Sequence, residues 1–116
     1  MKFELKRKID ELGRIVLPAE LRNYYEISSG ETVVLLPVRN GIQVAKTDYF
    51  HINQLPEDSA VCVDELGRIV IPTELRKQFN LTPKDVLYFV PNETCMLMQK
   101  SNPTKNTYYS KPANMK

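Results

Sequence analysis

The sequence predicts a mainly β protein with short helices, in which two related units interlock about a pseudo-two-fold axis. Three observations carry that expectation. The stretch DELGRIVLPAELR, residues 10–22, returns as DELGRIVIPTELR at residues 64–76, differing only at Leu17/Ile71 and Ala19/Thr73. The offset of 54 residues holds without a gap from about residue 7 to residue 46, so most of the chain is one small unit written twice. Each unit has about 40 residues, near the size at which a lone domain buries too little surface to be stable, and two copies are too few for a solenoid. One intertwined domain satisfies both constraints, and a hydrophobic content of 42% is enough to give it a core.

Taken in order, the first unit (1–46) begins with FELKRKI, residues 3–9, where Phe3, Leu5 and Ile9 share a parity with Arg7 and read as a strand with one buried face. Asp10 to Gly13 is a turn in which Gly13 supplies positive φ and Asp10 accepts local backbone hydrogen bonds. Arg14-Ile15-Val16-Leu17 is a short β-favouring run that Pro18 ends, and proline suits the start of a helix. Ala19 to about Glu26 has helical spacing that directs Leu21, Tyr24 and Tyr25 to the core, and Ser28-Ser29-Gly30 stops it. Glu31 to Val38 is an apolar strand, Asn40-Gly41 a hairpin signal, and Ile42-Gln43-Val44 the returning strand. The unit is therefore β-loop-β-helix-β-turn-β.

The second unit (61–100) repeats the plan with Ala60 to Val63, Arg68 to Ile71, a helix through Phe79, Val86 to Val90, a turn at residues 91–94 and Cys95 to Met98. Between the units, residues 47–60 form an acidic connector that carries His51. The tail, residues 101–116, has little apolar content beyond Tyr108 and Tyr109 and is expected to be disordered and basic.

Composition narrows the function classes. No run approaches the roughly 18 apolar residues of a membrane span, and the N-terminus has no apolar stretch of signal-peptide length, so a cytoplasmic protein is expected. Cys62 and Cys95 lie in apolar strand-like runs, without metal-type spacing, and are expected to be small buried hydrophobes. The net charge of +2 is too small for a bulk polycation, so any nucleic-acid site must come from geometry that gathers a few arginines. Asp10, Glu11, Glu20, Asp64, Glu65 and Glu74 have no histidine or nucleophile beside them and serve better as turn caps than as a catalytic pair. No phosphate loop, dinucleotide loop or zinc spacing is present, so neither catalysis nor a cofactor is expected.

The arginines recur with the repeat. Arg14 and Arg68 follow the glycine turn, and Arg22 and Arg76 follow the proline that opens the helix. Guanidinium forks grip phosphate in two-point fashion and address guanine edges. Copy one adds Lys6, Arg7 and Lys8, whereas copy two has Val61 and Cys62 in place of Arg7 and Lys8 and adds only Lys77. The competing reading is that Arg14 pairs with Asp10 or Glu11, and Arg22 with a nearby glutamate, as solvated or fold-locking ion pairs.

The repeated DELGRIV-(Leu/Ile)-P-x-ELR, preceded in copy one by Arg-Lys-Ile, resembles the N-terminal DNA-binding domain of the SpoVT/AbrB family of bacterial transition-state regulators. The resemblance covers residues 5–46 and 61–100. It implies a swapped-hairpin β-barrel, which in that family is made by two short chains and here by two tandem copies in one chain. It also implies DNA binding through Arg7, Arg14 and Arg22, with Arg68, Arg76 and Lys77 as the second copy's share and Lys8 beside Arg7. The implied partner is double-stranded DNA, AT-rich and loosely defined. The expected protein is therefore a non-enzymatic, nucleoid-associated transcription regulator.

A ring-forming regulator like MraZ also fuses two related units, but DELGR with ELR in each copy is closer to AbrB and the chain is short for that family; beside it, two alternatives stay open. MazE-like antitoxins share this barrel, but the tail here is short, basic and almost without aliphatics, which disfavours a toxin partner. A barrel that pairs with another AbrB-type regulator is the other, and a monomer, a homodimer or such a heteromer all suit the sequence.

Overall fold

The computed structural model describes residues 5–47, 55 and 58–100. The expected flexible tail, most of the connector with His51, and Phe3 lie outside the described residues. Among these residues, eight strands and two helices follow in order: β1 (Leu5–Lys8), β2 (Arg14–Val16), α1 (Ala19–Tyr24), β3 (Thr32–Val38), β4 (Gly41–Lys46), β5 (Ala60–Cys62), β6 (Arg68–Val70), α2 (Thr73–Gln78), β7 (Val86–Pro91) and β8 (Met96–Gln99). The protein is mainly β with two short helices, as the repeat predicts.

The strands exchange partners between the copies. The larger sheet has the order β1-β7-β8-β4-β3-β5, antiparallel throughout, and β2 pairs with β6 in a separate ribbon. β1 of the first copy thus lies on the β7–β8 hairpin of the second, and β5 of the second lies on the β3–β4 hairpin of the first. Exchanging the copies reverses the sheet order onto itself. The pseudo-two-fold passes between Ile15 and Ile69 in the ribbon and between Gln43 and Leu97 in the sheet, because these 54-residue equivalents face each other across the strand pairs. β1 and β5 are the two edges of the six-stranded sheet, and no pairing among the described residues closes it into a barrel.

One core serves both copies. Ile9, Ile15, Leu17, Leu35, Ile42, Ile69, Ile71, Leu87, Met96 and Met98 are almost completely buried together. Strand alternation puts them there: in the ribbon Ile15 and Ile69 face inward while Arg14, Val16, Arg68 and Val70 face out.

Several local expectations need correction. Tyr24 is exposed; only Leu21 of α1 is buried, and Tyr25 just beyond the helix packs on the core. Its hydroxyl donates to the carbonyls of Asn92 (2.5 Å) and Cys95 (2.7 Å) and accepts from the Asn92 N–H, which ties α1 to the other copy's hairpin. The helix stops before the Ser-Ser-Gly signal. Glu26 turns left-handed (φ 58°) and the Ile27 N–H bonds to the Arg22 carbonyl at 2.8 Å, a Schellman-type ending repeated by Asn80 and Leu81. The first hairpin turns at Arg39-Asn40, one residue before the expected pair, because Gly41 already pairs with Val38. Gly41 is needed for a different reason: a Cβ there would collide with the carbonyl of Met98 on the neighbouring strand β8. Cys62 is exposed on edge strand β5, whereas Cys95 is buried as expected.

Candidate nucleic-acid interface

The turn that leads into the ribbon is built the same way in both copies. The Gly13 N–H donates to the Asp10 carbonyl (3.0 Å) and the Asp10 N–H to the Arg14 carbonyl (2.9 Å), so Glu11, Leu12 and Gly13 form a three-residue loop. Gly13 takes the left-handed position at φ +80°, and Gly67 does the same. Inside the loop Asp10 Oδ1 accepts from the N–H groups of Leu12 (2.9 Å) and Arg14 (2.8 Å). Its other oxygen, Oδ2, accepts from Arg14 Nε at 2.7 Å. Asp64 repeats the set with Leu66 and Arg68.

These contacts hold both carboxyls below the ordinary aspartate range. The N–H of the following arginine is the main cause, its guanidinium and the leucine N–H add to it, and partial desolvation opposes them. Arg14 and Arg68 are consequently fixed by their Nε and keep 30% and 27% of their side-chain surface exposed. The two Nη groups of each guanidinium lie beyond that contact, at the outer end of the side chain. In the ribbon Arg14 stands opposite Val70 and Arg68 opposite Val16, which puts the two arginines on one diagonal of one face, about 8 Å apart at Cα. The ion-pair reading of Arg14 and its role as a surface cation are therefore compatible.

Arg22 and Arg76 sit differently from what their spacing suggests. Arg22 Nε donates to the Leu17 carbonyl at 2.9 Å, and Arg76 Nε to the Ile71 carbonyl at 2.9 Å. Each guanidinium also lies flat against the glycine of the other copy's turn. A Cβ on Gly67 would come within 2.5 Å of Arg22 Cζ, and one on Gly13 within 2.8 Å of Arg76 Cζ. Beneath them the Leu17 N–H donates to the Gly67 carbonyl (2.8 Å) and the Ile71 N–H to the Gly13 carbonyl (2.9 Å). These arginines clamp the two copies together, and the ion pair that the competing reading gave Arg22 with a nearby glutamate is not formed among the described residues. They differ at one place. Arg76 Nη2 donates to the Thr73 hydroxyl (3.0 Å), whereas the equivalent residue beside Arg22 is Ala19, which has no acceptor to offer.

The remaining sequence candidates do not converge on one face. Arg7 shares the half-buried parity of Leu5 and donates to the Lys6 carbonyl, whereas Lys8 is exposed on the opposite side of β1. Lys6 is exposed beside Lys8 and lies 5.9 Å from the ring of Tyr88, its partner across the β1–β7 pair. Lys77 is exposed in the last turn of α2. Sequence reasoning missed the turn tips: Leu12 and Leu66 are 65% and 64% exposed, and Val70 of the ribbon is 46% exposed. The signal was an apolar residue placed between glutamate and glycine at the apex of a tight turn.

Among the described residues no group of His, Cys, Asp and Glu could hold a metal ion, and no helix is long and apolar enough to cross a membrane. No family model and no curated protein matches the chain. Among solved structures it is similar to "The solution structure of PHS018 from pyrococcus horikoshii", at a TM-score of 0.47 and 21% identity over 85% of this chain and 94% of that one.

Proposed function

We propose that the protein is a sequence-biased, non-enzymatic DNA-binding transcription regulator of the AbrB type, and that its interleaved strands are a single-chain version of that family's swapped-hairpin barrel. The observation that carries this reading is the β2–β6 ribbon. It presents Arg14 and Arg68 on one outward face, related by the pseudo-two-fold and each held in place by an aspartate of its own turn. Arginines ordered before binding lose little side-chain freedom on contact with phosphate, and a two-stranded ribbon is narrow enough to enter the major groove of duplex DNA.

The two copies are unequal in their basic residues. Copy one adds exposed Lys6 and Lys8 on β1, where copy two has Ala60 and Cys62 on β5. Arg76 is engaged by the Thr73 hydroxyl, whereas the first copy has Ala19 at that position. An operator with unequal halves suits such a protein, with the first copy making the stronger contacts.

Fluorescence anisotropy with an A·T-rich duplex and a G·C-rich control, at several salt concentrations, tests the proposal. With roughly four to six phosphate contacts, log affinity is expected to fall against log salt with a slope of about −4 to −5. Arg14→Ala is expected to weaken binding more than Arg68→Ala, and equal losses would argue against asymmetry. A slope near zero, or no binding at low salt, sinks the DNA reading. The weight would then move to a protein partner, either a toxin or a related regulator.

A further inference from the structure

Leu12 and Leu66 stand out because the fold gives them no reason to be leucine. Both sit at a turn apex and are about two-thirds exposed, and the hydrogen bond from their own N–H to the aspartate below holds the loop in that shape. The copies have diverged at other surface positions, with Cys62 in place of Lys8, yet each keeps a leucine at the apex and a glutamate before it. Glu11 and Glu65 are themselves exposed. Among the described residues, three of the five exposed large apolar side chains, Leu12, Leu66 and Val70, belong to this ribbon and its turns, beside Arg14 and Arg68.

Resting on the DNA-binding reading above, we infer that the two turn tips read A·T pairs in the major groove: Leu12 and Leu66 cover thymine methyl groups, and Glu11 and Glu65 accept from adenine amino groups. The chemistry selects this partner step by step. A carboxylate beside the leucine is repelled by phosphate, so the tip belongs between the backbones rather than on one. There it needs a donor. The minor-groove edge of an A·T pair shows only acceptors, whereas its major-groove edge carries the adenine N6 amino donor next to the thymine C5-methyl. Cytosine also offers an amino donor but has no methyl group, so the leucine is what tells the two apart. The arginines on the ribbon face then anchor the flanking phosphates.

The test replaces every thymine of an A·T-rich duplex with deoxyuridine, which removes the methyl groups while keeping pairing and charge. Affinity is measured by anisotropy for the full chain and for Leu12→Ser/Leu66→Ser, with circular dichroism confirming that the variant is folded. The wild-type protein is expected to lose about fourfold for each methyl it buries, or about 15-fold for two tips, with the salt slope unchanged. The double variant is expected to bind the thymine and uracil duplexes equally. Equal wild-type affinity for both duplexes overturns the methyl contact while leaving DNA binding intact. A thymine preference that survives in the double variant overturns the assignment to these leucines. Failure to bind any duplex at low salt refutes the underlying DNA reading instead.

Discussion

Replacing Gly67 with alanine tests whether Arg22 of one copy clamps the turn of the other. Two costs add at this position. The backbone is left-handed at φ +80°, where a Cβ costs about 1 kcal/mol or slightly more. The new Cβ would also fall 2.5 Å from Arg22 Cζ and 2.7 Å from its Nε, so the guanidinium must move and its bond to the Leu17 carbonyl is lost. Such a charged hydrogen bond contributes about 1.5–3 kcal/mol, reduced here to about 1 because Arg22 is only half-buried and water replaces part of it. The expected total is about 2 kcal/mol. Gly30 provides the control: it too has positive φ, at +88°, but a Cβ there meets nothing within 4 Å, so Gly30→Ala carries only the backbone cost of about 1 kcal/mol. Urea unfolding followed by circular dichroism should separate the two variants by about 1 M in midpoint. In an Arg22→Ala background the extra cost of Gly67→Ala should vanish. Equal midpoints for Gly67→Ala and Gly30→Ala, or an extra cost that persists without Arg22, would refute the clamp.

Phe79 occupies the place that Tyr25 holds in the other copy, beside a cavity of about 200 Å³ lined by Arg39, Asn40, Gly41 and Ile42. Phe79→Tyr is expected to direct a hydroxyl at the carbonyls of Val38 and Gly41, as Tyr25 does at Asn92 and Cys95, and to gain about 1 kcal/mol, read as a rise of roughly 4–8 °C in Tm; an unchanged or lower Tm counts against it. Lys84 is left-handed at φ 79° where the first copy has Gly30, so Lys84→Gly is expected to stabilise by about 1 kcal/mol in the same urea assay, and no gain would count against strain at that site. Asp10 and Asp64 have depressed pKa values in the folded protein, so their stabilisation is fully present above the ordinary aspartate value of about 4 and is lost as pH falls through the folded value. Asp10→Asn/Asp64→Asn is therefore expected to flatten the acid limb of the stability-pH curve, and an unchanged acid limb would show that other carboxylates set it.

The repeat made the interleaving legible. Two copies too small to fold alone, written without a gap, had to share one core, and β1 does lie on β7 while β5 lies on β3. The glycine turn was legible too, because Asp10 and Gly13 carry local chemistry that needs no tertiary partner. Other features depended on partners far along the chain. A six-residue helix is too short for its periodicity to tell Tyr24 from Tyr25, and the difference is set by the hairpin carbonyls that only Tyr25 reaches. The Asn-Gly pair pointed to a turn one residue late, since Gly41 answers to the Met98 carbonyl across the pseudo-axis. Arg22 and Arg76 had the spacing of surface cations, and only the juxtaposition of the two copies reveals them packed on Gly67 and Gly13. Cys62 sits in an apolar run that belongs to an edge strand, so its neighbours in sequence misled about its exposure.

The exchange of strands also governs how the chain is made. Leu5 pairs with Phe89, so the first strand has no partner in its own unit and must wait until nearly all of the described chain has left the ribosome. Throughout that interval β1 and the β3–β4 hairpin expose apolar surface shaped to receive the second copy. The second copy of a neighbouring nascent chain has the same shape. Expression at high level is therefore expected to raise the share of domain-swapped dimers, in which each chain completes the other, and size-exclusion chromatography of protein made at high and low level checks it.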